Sequence, residues 1–318
     1  MSLIAERLRH AASDLGTLTR IDEPLGPLTT YRVGGSAAIF VSPTSLDDLH
    51  AVAATIARYD LPVLMVGRGS NLLVADAGFA GIAISLAEMA DGIEVSGVDV
   101  QSGSAVALPV LARRTAAAGL TGFEWAVGVP GSIGGAVRMN AGGHGSDIAA
   151  CLVRAEIFDL RAQGCEWRPA ESLGLRFRRS NLVDHEIVLT AHLQLAAGDV
   201  ERSEREIADI VRWRRENQPG GQNAGSVFVN PIPGELSAGE LIDRVGLRGF
   251  RVGGAFVSEK HANFIQAGDG ATAADIKAVI DEVRDKVARE TGFDLRSEVR
   301  LVGFSDTGVV HTEGVSRG

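Results

Sequence analysis

The chain has 318 residues, 45% of them hydrophobic and 22% charged; that length exceeds what one hydrophobic core organises, so two or three compact units are expected and disorder by composition is excluded. Its 31 Lys+Arg against 40 Asp+Glu leave a net charge of -9, which argues against a nucleic-acid or anionic-membrane binder and demands a local basic pocket for any anionic ligand. Cys151 and Cys165 make neither a CxxC pair nor a metal-ligand spacing, so two reduced structural cysteines, no metal site and a cytoplasmic setting are expected.

The first fifteen residues read as an amphipathic helix carrying Leu3, Ile4, Leu8 and Leu15, with Glu6 and Arg7 interrupting any signal-peptide core. No uncharged apolar run approaches the ~20 residues of a membrane helix. Residues 38–66 read as strand, helix, strand: AIFV, then a helix capped by Ser45 with apolar Leu46, Leu49, Ala53 and Ile56, then PVLMV. Apolar runs at 81–86, 92–103 and 187–195 have strand length, and LPVLARRTAAAG is a helix with Gly119 as its C′ residue. A charged helix over 200–216 leads into NQPGGQNAG, a turn-rich domain boundary.

Beyond it, Ser237 and Glu240 have capping-box spacing for a short helix that stops at Gly246. Residues 272–292 place Ile276, Val279, Ile280, Val283 and Val287 on one helical face and stop at Gly292. Short strands are expected in HANFIQ before this helix and in LRSEVRLVGF after it. The tail 305–318 has little to bury and is expected to be mobile. The fold class is α+β, in units 1–98, 99–212 and 213–304.

Two of the segments rich in glycine carry the first chemical signals. Gly67-Arg68-Gly69-Ser70-Asn71-Leu72-Leu73 follows PVLMV, where a glycine turn aims backbone N–H groups and a serine hydroxyl at phosphate oxygens, or simply joins two strands. It lacks the third glycine and the capped helix of a Rossmann fingerprint. The run Gly128 to Gly143 holds too many small residues for ordinary packing. Its backbone must pass close to something flat or anionic, or to another element of the protein.

Seven blocks, TTYRVGG at 29–35, GRGSNLL at 67–73, GFEWAVGVPGSIGGAVRMNAGG at 122–143, RFRRS at 176–180, AGSVFVNP at 224–231, VSEKHANFI at 257–265 and SEVRLVG at 297–303, occur in the order seen in UDP-N-acetylenolpyruvoylglucosamine reductases, and the chain resembles that family over roughly residues 20–304. The resemblance implies a two-lobed FAD-binding domain of the vanillyl-alcohol-oxidase (PCMH) type followed by a smaller α+β substrate domain. It implies NADPH-dependent reduction of UDP-N-acetylglucosamine enolpyruvate in peptidoglycan precursor synthesis, with FAD held non-covalently because GRGSNLL offers no histidine or cysteine tether. An FAD-dependent oxidase of the same superfamily, acting on an alcohol or lactone, is the alternative.

By the same resemblance Gly67, Gly69, Ser70, Asn71, Leu72, Gly131, Ser132, Gly134 and Asn140 bind the cofactor. Arg178 holds the substrate carboxylate and stabilises the enolate, since a guanidinium keeps its charge and binds carboxylate bidentately. Ser226 donates a proton to C2, and Glu298 assists as charge accumulates if it is protonated or bridged by Arg178. Asn230 matches a position that contacts the UDP pyrophosphate, and His261 and Asn263 lie in a block near the substrate, or the three make structural hydrogen bonds in a turn or strand. The cluster Arg212, Arg214 and Arg215 either attracts the substrate's diphosphate or forms a solvated helix face. Asn217 and Val229 stand where many relatives have lysine, and His144 and Phe177 where they often have tyrosine. The short path from RFRRSNL to the next strand matches the subtype without an inserted tyrosine-bearing loop.

Overall fold

In the computed structural model, which describes residues 3–304, the chain opens with α1 (Leu3–Leu15), β1 (Thr19–Pro24) and β2 (Ser36–Val41). The expected mobile tail 305–318 lies outside the described residues. The Ser45 hydroxyl accepts the Asp48 N–H at 3.1 Å and starts α2 (Leu46–Tyr59), which buries Leu49, Val52 and Ala53. After it come β3 (Val63–Met65), β4 (Leu72–Val74) and β5 (Phe79–Ile84). The sheet runs β1-β2-β5-β3, with β2 and β3 both parallel to β5 and β1 antiparallel to β2. This is the strand, helix, strand opening expected of residues 38–66.

In the second lobe β6 (Ile93–Ser96) and β7 (Asp99–Gly103) form a hairpin over Gly97, whose φ is 61°. The expected division at 98/99 falls inside that hairpin, and both strands join the second sheet. Then follow α3 (Leu108–Ala117), β8 (Leu120–Thr121), α4 (Ile133–Met139), β9 (Gly142–Gly143) and β10 (Ser146–Asp147). The remaining elements are β11 (Leu152–Asp159), β12 (Gly164–Pro169), β13 (Glu186–Gln194), β14 (Ala196–Ala197) and α5 (Val200–Asn217). The large sheet runs β12-β11-β13-β7-β6, antiparallel throughout. One core joins α3 and α4 to it through Leu108, Leu111, Ile133, Val137, Ile157 and Leu193. Because α5 continues to Asn217 without a break, the helix crosses the expected boundary at 212/213.

The third unit contains β15 (Gln222–Asn223), α6 (Ala238–Arg244), β16 (Arg251–Val252), β17 (Ala255–Val257), β18 (Ile265–Ala267), α7 (Ala273–Thr291) and β19 (Arg300–Val302). Its sheet runs β15-β18-β17-β16. Capping boxes form at Ser237/Glu240 and Thr272/Asp275, and Gly292 ends α7 with φ 78°. All five apolar residues named for α7 are buried, each worth about 1.5–3 kcal/mol relative to exposure. Tyr31, from the first lobe, is fully buried in this unit's core.

Two expectations change here. Only Ile265 and Gln266 of HANFIQ are in a strand; His261 to Phe264 make a turn closed by the Phe264 N–H on the His261 carbonyl at 3.0 Å. The last strand is confined to Arg300–Val302, and it leaves the third unit's sheet to pair in parallel with β4 of the first lobe, Leu72 opposite Arg300. Asp76 adds a second tie between the two, its carboxylate accepting the N–H groups of Ala273 and Ala274 at 2.9 Å each.

Candidate active site

The three units surround a cavity of about 720 Å³, a size that suits a bound cofactor or substrate. Gly67, Gly69, Ser70, Asn71, Leu72, Gly131, Ser132, Gly134, Arg178, Ser226 and Glu298 all line it. Segments more than two hundred residues apart in sequence therefore meet at one surface.

The turn after β3 is the first of the two glycine-rich segments to reach the cavity. Gly69 has φ 60°, and a Cβ there would sit 2.1 Å from the Leu28 carbonyl oxygen, so only glycine fits. Among the described residues no protein acceptor takes the backbone N–H groups of Gly67 through Asn71. Five successive free amides on a cavity wall fit the pyrophosphate of FAD. The second segment contributes differently. The N–H groups of Ile133 and Gly134 are spent on the Val106 and Ser104 carbonyls, and that of Gly135 on the Ser132 hydroxyl. It forms a close wall rather than an anion cradle: a Cβ on Gly134 would meet the Ser104 Cβ at 2.8 Å.

Electrostatics reverse locally. Among the described residues, Arg68, Arg138, Arg178, Arg214 and Arg300 line the cavity against only Glu186 and Glu298, in a chain of net charge -9. This is the local basic pocket that composition required. Arg138 and Arg300 share Asp184 at 2.5 and 2.9 Å; burial, then the neighbouring Arg300, push the Arg138 guanidinium below its ordinary range. Arg214 is also lowered by burial, and its Nε donates to the Gln218 side chain at 2.8 Å. His144, edge-on to Trp213 at 5.2 Å between centroids, is lowered by burial and then by Arg214, so it is neutral at neutral pH.

A tight turn, closed by reciprocal hydrogen bonds between Arg176 and Arg179 at 2.9 Å, presents Arg178 with φ 55°, a strained conformation for a non-glycine residue. Its Nε donates to Glu298 Oε2 at 3.1 Å and its Nη2 to the Gly142 carbonyl at 2.9 Å. The Phe177 ring lies 4.9 Å from the guanidinium carbon. Ser226 follows Gly225, whose φ is 80°, and is exposed where it lines the cavity. The next residue, Val227, accepts the Glu298 N–H on its carbonyl at 2.8 Å.

Four expected site residues do not line the cavity. Asn140, buried at the end of α4, donates to Asp147 and the Arg176 carbonyl and accepts from the Ala149 N–H, so it braces the turn that presents Arg178. Asn263 makes reciprocal bonds at 2.9 and 2.8 Å with the Phe228 backbone, two residues after Ser226. Asn230 accepts the Ala238 N–H at the start of α6. His261 accepts the Asn263 N–H on Nδ1 and packs edge-on against Phe264. Conversely, sequence reasoning missed Arg138, Arg300, Trp213 and Ser104 as cavity residues. The signal for Arg300 was its position two residues after Glu298, the spacing that repeats a face along extended chain. Of the arginine run, Arg214 reaches the cavity, while Arg212 pairs with Asp209. Burial pushes the Cys151 thiol up to about 12, so it is inert, and neither cysteine lines the cavity.

A two-lobed α+β module with a glycine-built turn of free amides, carrying a third unit over an arginine-rich cavity, is the layout of a flavin-dependent oxidoreductase. Residues 37–164 match the model of the FAD binding domain family, and residues 217–302 match that of the UDP-N-acetylenolpyruvoylglucosamine reductase C-terminal domain. The chain is 42% identical over 285 residues to the UDP-N-acetylenolpyruvoylglucosamine reductase of Heliobacterium modesticaldum, covering 89% of this chain and 90% of the relative. It is 38% identical to that of Bacillus subtilis, covering 89% and 93%. The crystal structure of the Thermus caldophilus enzyme superposes with a TM-score of 0.77 at 33% identity, covering 89% of this chain and 99% of that one. The chain belongs to the UDP-N-acetylenolpyruvoylglucosamine reductase family.

Proposed function

We propose that the protein reduces UDP-N-acetylglucosamine enolpyruvate to UDP-N-acetylmuramate at the expense of NADPH, a step of peptidoglycan precursor synthesis. The observation that carries this reading is the convergence of Arg178, Ser226 and Glu298 on one cavity wall beside the free amides of Gly67 to Asn71. FAD, when bound, supplies hydride transfer from NADPH to C3 of the enolpyruvyl group. The amides of residues 67–71 would hold its pyrophosphate, with Gly131, Ser132 and Gly134 walling the cavity.

Arg178 holds the substrate carboxylate and stabilises the enolate that develops as C3 becomes saturated. Its link to Glu298 keeps that carboxyl beside the accumulating charge, bridged rather than opposed to it. Ser226 gives its hydroxyl proton to C2, a strongly basic carbon at that stage, and recovers a proton from water. Arg138, Arg214 and Arg300 supply the cationic surroundings for the nucleotide diphosphate that Asn217 and Val229 cannot. Among the described residues no helix is long and apolar enough to cross a membrane, and the proposed substrate and NADPH place the enzyme in the cytoplasm.

Purified protein is expected to be yellow, to release its flavin on heat denaturation, to bleach anaerobically with NADPH and to regain colour when UDP-N-acetylglucosamine enolpyruvate is added. Recovery of colour in air alone, with none on addition of that substrate, would identify an oxidase and overturn the reading.

A further inference from the structure

Glu298 is gripped at three points. Its carboxylate accepts from Arg178 Nε at 3.1 Å, its N–H donates to the Val227 carbonyl at 2.8 Å, and its carbonyl accepts from Asn71 Nδ2 at 2.9 Å. The backbone of Asn71 closes the same junction from the other side, its carbonyl accepting the Arg300 N–H at 2.9 Å. One residue thus clamps both ends of the 298–300 segment and opens the parallel ladder of β4 with β19. Its own N–H remains among the free amides that line the cavity.

From this geometry we infer that Asn71 is a positioning residue that couples occupancy of the phosphate turn to the placement of Glu298 and, through Val227, of Ser226. An anion gathered by the amides of 67–71 orders the backbone of Asn71. The side-chain amide of that same residue then fixes the Glu298 carbonyl, and the Glu298 N–H fixes the residue after Ser226. Loading the cofactor and assembling the proton-delivery wall are therefore one event. This differs from a role as a cofactor contact alone, because an Asn71 Nδ2 hydrogen is taken by the Glu298 carbonyl while the residue's own backbone N–H has no protein acceptor among the described residues. The assignment rests on the proposed reaction for its kinetic consequence, though the coupling itself is a property of the fold.

The test compares wild type with Asn71→Ala and with Asn71→Leu, which is close to asparagine in size, stays neutral and loses the donor. Hydrogen exchange is followed in peptides covering 226–229 and 296–302, before and after FAD is added to apoprotein. In wild type, FAD is expected to slow exchange in both peptides. In the variants FAD binds with an affinity changed by less than about 5-fold, since the backbone amides remain, yet the 296–302 peptide stays unprotected. In FAD-loaded variants, anaerobic bleaching by NADPH stays within about 3-fold of wild type, while recovery of colour with UDP-N-acetylglucosamine enolpyruvate slows by about 10²-fold, as misplacing a reacting group demands. The inference is overturned if FAD affinity collapses while exchange at 296–302 and the colour-recovery rate of the saturated variants match wild type. Should neither variant fold, unchanged exchange at 296–302 when wild type binds FAD overturns it equally. A wild type that fails to regain colour with this substrate defeats the proposed reaction instead, and leaves the exchange result to decide the coupling.

Discussion

Arg178 and Glu298, 120 residues apart in sequence, meet through one hydrogen bond from Nε to Oε2 at 3.1 Å. Neither partner arrives by chance of a flexible side chain. Arg178 sits at the tip of a turn braced by Asn140, and Glu298 is fixed through its backbone on both sides. These bonds take Nε and one Nη2 hydrogen of Arg178 and leave Nη1 with no hydrogen-bond acceptor among the described residues.

Replacing Arg178 by Lys keeps the charge and discards the planar fork, together with the Nη2 bond to the Gly142 carbonyl. Arg178→Lys is expected to lower kcat/KM for the enolpyruvyl substrate by about 10²-fold, with bleaching by NADPH little changed. Steady-state kinetics alongside single-turnover bleaching separate the two. Equal loss in both would mean that Arg178 serves the cavity as a whole.

Gly69→Ala would place a Cβ 2.1 Å from the Leu28 carbonyl oxygen at a φ of 60°. The turn must shift to accommodate it, and the free amides of 67–71 shift with it. Loss of bound flavin on purification is expected, read as the ratio of visible to ultraviolet absorbance. Full flavin content in that variant would show that the turn is not the phosphate site.

Ile276 is fully buried on the apolar face of α7. Ile276→Ala is expected to destabilise the protein by about 2–5 kcal/mol through lost burial and the cavity left behind, measured as a lower midpoint in urea with the same slope. A change under about 1 kcal/mol would mean that the site collapses freely.

His144 and His261 both have lowered pKa values, in each case by burial first and a nearby arginine second, Arg214 and Arg248 respectively. Folding therefore favours their neutral forms. Their contribution is fully present above the unfolded value of about 6.5 and is lost as pH falls below it toward the folded values. The stability difference between wild type and a His144→Asn, His261→Asn double variant should shift in favour of the variant between pH 7.5 and 5.5. Melting temperatures across that range check it; a constant difference contradicts it.

The helices were legible because each carried its own signals: Thr272 and Gly292 bound α7, and its apolar residues recur at helical spacing. What eluded sequence reasoning was long range. The three residues of β19 contain nothing to say that they pair in parallel with β4, more than two hundred positions earlier. The catalytic candidates were legible as a set through their motif blocks, and they share a cavity. The asparagines were not. A side-chain amide can serve a ligand or a backbone with equal chemistry, and Asn140, Asn230 and Asn263 each serve backbone. Arg138 was hidden by distance, since nothing in its small-residue segment says that Asp184, 46 positions later, holds it at the cavity.

The central claim, proton delivery by Ser226 after a separate NADPH step, is tested most directly by Ser226→Ala in an anaerobic sequential-mixing experiment. NADPH should bleach the variant's flavin at the wild-type rate, and the enolpyruvyl substrate should restore its colour at least ~10²-fold more slowly than in wild type. Recovery at the wild-type rate, or equal slowing of both phases, would contradict the account.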